Sequence, residues 1–313
     1  MKTQGRWDRD KDRNTYFLAT NLSNQKITAG ANHHYILIAV NEINSNGIDE
    51  IVSLADGGAA ILLDSGIFWL TNQHKRAHGI SMNEALALPP SEIDGFDDLL
   101  AKYLRIVHTL GDKLWGVIEL DQGGQDCKRE TRAMLHQEGI FPMPVYHPLN
   151  DGWDYFDELA SNYDRIAIGN VVQADARTRL SLLTTLWERR RNYPELWVHM
   201  LGYTLDATLL GWPVDSCDSS TWLAGVRWAG GTDEYSLLSR AGALGGDFRY
   251  QLGSDADGGT GSHQAMKLGA TTMRAATMNY RSFLSESYEL FGLEQLPARI
   301  KGEPPAAPRG AKA

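Results

Sequence analysis

Residues 114–147 read LWGVIELDQGGQDCKRETRAMLHQEGIFPMPVYH and contain one strand–helix–strand repeat. The apolar run Leu114–Leu120 predicts a strand, Cys127–Glu138 a helix and Phe141–Tyr146 a second strand. Neither run alternates cleanly between apolar and polar, as expected of strands covered on both faces. Both strands run straight into polar side chains: Glu119 and Asp121 after the first, His147 after the second.

The same pattern extends in both directions. Further strands are predicted near Tyr16–Thr20, Tyr35–Val40, Ala60–Asp64, Arg165–Gly169, Leu196–Leu201 and Pro213–Cys217, which makes eight. Gly95–Leu110 reads as a helix, because Phe96, Leu99, Leu100, Tyr103, Leu104 and Val107 recur at spacings of three and four. Asp175–Arg191 reads as another. Strands alternating with helices predict an α/β fold with a parallel sheet. Eight of them predict a (β/α)8 TIM barrel, which needs roughly 250 residues plus extensions. The barrel is expected over residues 15–300, after a flexible arm at 1–14 and before a disordered Pro/Ala-rich tail at 301–313. A doubly wound open sheet is the structural rival.

The formal net charge of -9 argues against a life of nonspecific nucleic-acid binding, so any such contact must come from a local basic patch. The 2 cysteines, Cys127 and Cys217, form no CxxC pair, which excludes a disulfide framework and a cysteine-built zinc site. The first residues carry no apolar signal segment, and no apolar run approaches the roughly 18 residues of a membrane span. A soluble, cytoplasmic protein with no membrane partner is expected.

Barrel enzymes place their chemistry at the C-terminal ends of the strands. Here those ends supply Asp64, Ser65, Gly66 and Phe68 in LLDSGIF, then Glu119 and Asp121, then His147. Gly169 and Asn170 follow in IAIGN, His199, Leu201 and Gly202 in VHMLGYT, and Asp215, Asp218 and Ser219 in PVDSCDSS. Any one of these aspartates could simply cap the next helix. Several carboxylates on one rim carry a desolvation cost that calls for a task.

These motifs, in this order over residues 60–225, resemble the tRNA-guanine transglycosylase superfamily. That superfamily includes relatives, many of them phage-encoded, that insert 7-deazaguanine bases into DNA. The resemblance implies a TIM barrel that exchanges guanine for a deazapurine, with no cofactor. It implies Asp218 as nucleophile, preceded by Asp215 in a D-x-x-D stretch, and Asp64 as acid/base. It also implies Asp121 as the base-reading carboxylate, with Glu119 as its understudy, and Phe68 stacked on the base. Backbone groups at Gly169, Leu201 and Gly202 would read the base edge. Ser65, Gly66, Asn170 and His147 complete the expected substrate contacts. The implied partners are DNA or tRNA and a 7-deazaguanine base; a homodimer is compatible, and a phage-encoded chain would work in the host cytoplasm.

The chain departs from the family in two places. Ile67 stands where the family's DSGGF-like motif has a second glycine, and the cysteine-rich zinc segment after the nucleophile is missing. Beyond Cys217 there is no cysteine, and His263 is the only histidine. The missing zinc segment favours DNA over tRNA. The other readings are tRNA exchange, a non-catalytic base-binding barrel subunit, and an unrelated barrel enzyme. A Schiff-base aldolase would want a strand-end lysine, and none stands there.

The chemistry suits the residue types. Breaking a glycosidic bond builds positive charge on the sugar carbon, so one carboxylate can attack it while a second moves protons. An ionised carboxylate is acceptor-only and meets guanine's N1–H and N2–H donors. Residues two apart on a strand share a face, so Glu119 and Asp121 could both point inward; the alternative is that one pairs with an arginine. Phosphate contacts are expected from Lys75 and Arg76, from Lys128, Arg129 and Arg132, and from Arg177 and Arg179. The run Arg189–Arg191 more simply complements a helix C-terminus. His74 and His78 could share a metal from one helix face, but the sequence shows no third ligand, so no metal is expected. SDADGGTGSH at 254–263 resembles a calcium loop without its terminal glutamate.

Overall fold

The computed structural model describes residues 1–12, 15–22, 34–203 and 214–220. The predicted tail at 301–313 and the 254–263 stretch lie outside the described residues, as does His263. The strands among the described residues are β1 Thr15–Ala19, β2 Tyr35–Ala39, β3 Ala60–Asp64, β4 Gly116–Val117, β5 Val145–Tyr146, β6 Arg165–Ile168, β7 Trp197–Met200 and β8 Ser216–Ser219. The helices between them are α1 Gly47–Asp56, α2 Ile67–His78, α3 Met82–Ala87, α4 Phe96–Leu110, α5 Gln125–Gln137, α6 Trp153–Asn162 and α7 Ala176–Arg190, besides a single turn at Arg9–Asp12 and short 3-10 segments.

The chain forms two compact units. Of the described residues, the first unit holds 1–9, 19–22 and 35–171, and the second holds 10–12, 15–18, 34, 172–203 and 214–220.

In the first unit β2 pairs with β3, from Tyr35 beside Ala60 to Ala39 beside Asp64. β3 pairs with β4 through Leu62–Gly116 and Leu63–Val117. Just past β4, Ile118 bridges Met143 in parallel, and β5 pairs with β6. Neighbours therefore follow sequence order from β2 to β6 without reversal. A doubly wound sheet reverses at a switch point; this unit does not. In the second unit β7 pairs with β8, and β8 pairs with β1, the first strand beside the last. All these pairings are parallel, which requires crossover connections, and in the first unit helices supply them. The architecture is α/β, with eight described parallel strands and flanking helices, consistent with a TIM-like fold.

The apolar spacing at 95–110 gives α4 as expected. Its Phe96, Leu99, Tyr103, Ile106, Val107 and Leu110 are buried with Ile36, Ile38, Ile61 and Leu63 of β2 and β3 in one cluster. Each such side chain contributes about 1.5–3 kcal/mol when removed from water. Asp97 and Asp98 sit in the first turn, where the helix dipole favours them.

Two strands are shorter than the sequence suggests. Leu114–Leu120 reduces to Gly116–Val117, and Phe141–Tyr146 to Val145–Tyr146. Pro142 and Pro144 lack N–H groups, so Met143 alone in that stretch donates across, to Val117 O at 2.7 Å. The eighth strand begins at Ser216 rather than Pro213, which lies outside the described residues. Asp215 just before the strand donates its backbone N–H to Val198 O at 2.9 Å and accepts from Thr15 N at 3.1 Å, and its side chain receives Val198 N–H at 2.9 Å.

The segment read as a flexible arm makes specific contacts over its first residues. The Met1 amino group meets Asn162 O, and Thr3 N and Oγ1 each donate to Asp164 Oδ1 at 2.9 Å. Gln4 N donates to Phe141 O and Arg6 N to Leu114 O. Arg165, fully buried at the start of β6, donates to Thr3 Oγ1 at 2.6 Å and Gln4 O at 2.7 Å. Its guanidinium lies between the Trp7 and Trp115 rings, 4.7 and 4.9 Å from their centroids. Removing residues 1–7 strips acceptors and an aromatic face from a buried cation. The expected cost is on the order of 3 kcal/mol, read as a lower urea midpoint; an unchanged midpoint would show that the segment is not fastened.

Candidate functional site

In the first unit the ends of β3, β4, β5 and β6 carry most of the expected site. Asp64 closes β3 and is half-buried; its Oδ2 accepts from Gly66 N at 3.3 Å. Ser65 is fully buried and accepts from Ile67 N at 3.4 Å, so it shapes the turn into α2. Phe68 and its neighbour Trp69 are exposed, at 54% and 47%. Phe68 is therefore not spent on core packing.

Past β4, two carboxylates two residues apart go to different tasks. Glu119, expected to back up base recognition, is committed to a buried ion pair. Arg132 of α5 donates to Glu119 Oε2 at 2.7 Å and Oε1 at 3.2 Å, and Val145 N donates to Oε1 at 2.6 Å. Burial alone would lower the Arg132 pKa, but Glu119 and the Tyr155 hydroxyl outweigh it and hold the guanidinium above its ordinary value. Burial pushes the Tyr103 hydroxyl well up, and the Glu119 and Asp64 charges push the same way. Asp121 instead meets His147 Nε2 through Oδ2 at 2.8 Å.

His147 follows β5 and is fixed from three sides. Its N–H donates to Asp151 Oδ2 at 2.8 Å, and that oxygen also receives Lys128 Nζ at 2.5 Å. Gly169 lies against the ring: a Cβ there would come within 2.6 Å of His147 Cδ2, so only glycine allows this approach. Asn170 takes a left-handed backbone, φ 52°, and donates to Asn150 Oδ1 at 2.6 Å.

In the second unit Asp218 is buried on β8. Its Oδ1 accepts from His199 Nε2 at 3.2 Å and from Gly202 N at 3.1 Å. Trp197 Nε1 donates to Ser216 Oγ at 2.8 Å, so the Ser216 hydroxyl hydrogen is available to His199 Nδ1, also at 2.8 Å. That chain fixes the His199 tautomer, with its N–H on Nε2 facing Asp218. Gly202 turns with φ 67°, which aims its N–H at the carboxylate; Leu201 beside it is half-buried. Among the described residues Oδ2 of Asp218 receives no hydrogen bond. Asp215, expected beside the substrate, is committed elsewhere: Arg190 Nη2 and Val198 N both donate to its Oδ2, at 2.7 and 2.9 Å.

The expected phosphate contacts are corrected in part. Lys128 and Arg132 are buried and paired as described, and Arg129 is bound to Glu158 and Asp126. Arg179 donates to Val172 O and Ala174 O. Arg76 and Arg177 are exposed. Arg190, in the run read as a helix-end feature, is buried against Asp215. Sequence reasoning missed Asn41, whose buried Oδ1 packs against Gly66 and has no hydrogen-bond partner among the described residues. Its place just past β2 was the available signal. It also missed Gln122, whose amide spans Thr71 Oγ1, Ala85 O and Leu88 O.

Comparison with protein-family models and with curated proteins finds no match for this chain. No helix among the described residues is long and apolar enough to cross a membrane. The geometry itself separates the carboxylates paired with arginines from those that are not. Glu119→Gln is expected to destabilise the fold by about 3–5 kcal/mol, the cost of orphaning a buried arginine. Asp121→Asn keeps an acceptor for His147 and is expected to cost less than about 1 kcal/mol. Urea unfolding of both variants checks the ranking, and the reverse order would return Glu119 to the substrate side.

Proposed function

We propose that this protein is a base-exchange transglycosylase, related to the tRNA-guanine transglycosylase superfamily, that replaces guanine in DNA with a 7-deazaguanine derivative. The observation that carries the reading is Asp218. It is a buried carboxylate with one oxygen held by His199 Nε2 and Gly202 N, and the other without a hydrogen bond among the described residues. A held carboxylate with one oxygen open is what a nucleophile needs: orientation at one atom and reactivity at the other.

The reaction follows from the residue types. Asp218 Oδ2 attacks C1′ of the nucleotide as the bond from C1′ to guanine N9 breaks, giving an aspartyl–sugar ester. Asp64 donates a proton to the departing guanine. It then takes the N9 proton of the incoming deazaguanine, whose nitrogen attacks C1′ and releases Asp218. Two inversions retain the sugar configuration. Asp121 faces the base's N–H donors while His147 holds its Oδ2, and the exposed Phe68 ring stacks on the base.

The reading requires Asp64 and Asp218 to address one nucleotide, as they would at the rim of a closed (β/α)8 barrel. The absent cysteine-rich segment supports DNA over tRNA as the polymer. A duplex target would have to give up its base from the stack, at a cost of a few kcal/mol.

Incubation with labelled guanine and either DNA or tRNA tests the activity, with incorporation into DNA expected. Asp218→Asn is expected to cut exchange by more than about 10³-fold while the fold persists. Label in tRNA alone would replace the DNA reading. Exchange by neither polymer would favour a base-binding subunit, and undiminished exchange in Asp218→Asn would remove the nucleophile.

A further inference from the structure

His74 and His78 lie four residues apart on α2, so their imidazoles share one face of the helix. The ring centroids are 4.1 Å apart, with 30° between planes. Asp94 comes to them from the segment before α4. Its Oδ2 lies 3.3 Å from His74 Nδ1 and 2.9 Å from His78 Nε2. The three ligand atoms all fall within 4.8 Å of one another. The sequence conceals this convergence, because Asp94 stands 16 residues beyond His78.

The two carboxylate–imidazole spacings are close to those of a small coordination sphere. Four ligands at about 2.0–2.1 Å from a tetrahedral zinc ion lie roughly 3.3 Å from each other. The Asp94 backbone N–H also lies 3.3 Å from His74 Nδ1, and a metal ion would take its place on that lone pair.

We infer that His74 Nδ1, His78 Nε2 and Asp94 Oδ2 form a binding site for a divalent transition metal of the zinc class. Two imidazoles and one carboxylate select zinc, cobalt or nickel over magnesium and calcium, which prefer all-oxygen sites. His74 is buried, while the His78 and Asp94 side chains are 50% and 75% exposed, which leaves the outer position to water. The ion ties the last turn of α2 to the residue before Gly95 and α4. It thereby closes the intervening segment, which holds α3 and already receives Gln122 through Ala85 O and Leu88 O. The site is separate from the carboxylates of base exchange, so it stands whether or not that reading holds.

The test is titration of the full-length protein, stripped with a chelator, with zinc by calorimetry and with cobalt by visible absorption. One equivalent of zinc is expected to bind, to raise the melting temperature and to displace cobalt; the cobalt complex should show the intense visible bands of tetrahedral coordination. His78→Ala and Asp94→Asn change exposed side chains and should fold normally. Both should lose the cobalt bands and the zinc-dependent rise in melting temperature. His108→Ala, at a separate exposed histidine, should lose neither. Absence of zinc binding, equal zinc binding in both variants, or preferential binding of magnesium or calcium would overturn the assignment.

Discussion

The buried pair of Glu119 and Arg132 joins three consecutive elements of the first unit. Glu119 ends the β4 region, Arg132 comes from α5, and Val145 N–H at the start of β5 donates to the same carboxylate. Strand, helix and next strand are thus pinned at one point, where Tyr155 of α6 adds its hydroxyl at 2.7 Å. An isolated charge there would be prohibitive; the pair is tolerable because every oxygen of Glu119 is hydrogen-bonded. Asp121 and His147 stand two residues beyond Glu119 and Val145, so their meeting is a consequence of that pinning. Lys128 and Asp151 repeat the device one helical turn earlier on α5, and Asp151 holds the backbone of His147.

The second unit solves the same problem with neutral groups. Trp197, Ser216 and His199 form a relay whose last member points an N–H at Asp218. All are buried on β7 and β8, where rotamers are locked by packing. Arg190 takes up the charge of the neighbouring Asp215, so of these two aspartates one is neutralised and one is only oriented. That contrast, and not the mere number of acidic residues, sets Asp218 apart from Asp215.

The region around α2 combines three features within residues 64–78: the turn that sets Asp64, two exposed aromatic rings at Phe68 and Trp69, and the histidines that approach Asp94. The Thr71 hydroxyl lies 2.9 Å from Ile67 O and 2.8 Å from Gln122 Oε1, so its one hydrogen ties this helix to the β4 end or to its own preceding turn. A helix fastened at its middle can present its first turn to a ligand without fraying.

The sequence by itself determined the repeating strand–helix order, the bounds of β3, and α4 to within one residue, because burial on both faces and helical periodicity are local patterns. It also marked Asp64, Asp121, His147 and Asp218 as strand-end groups. The residue types did not say which of Glu119 and Asp121, or of Asp215 and Asp218, pairs with an arginine, since each pair has the same chemistry at nearly the same place. Only the tertiary structure decided that, by bringing Arg132 to Glu119 and Arg190 to Asp215 across 13 and 25 residues. The third partner of His74 and His78 was hidden for the same reason. Which groups a carboxylate or imidazole faces depends on contacts between distant segments, and no local pattern encodes them.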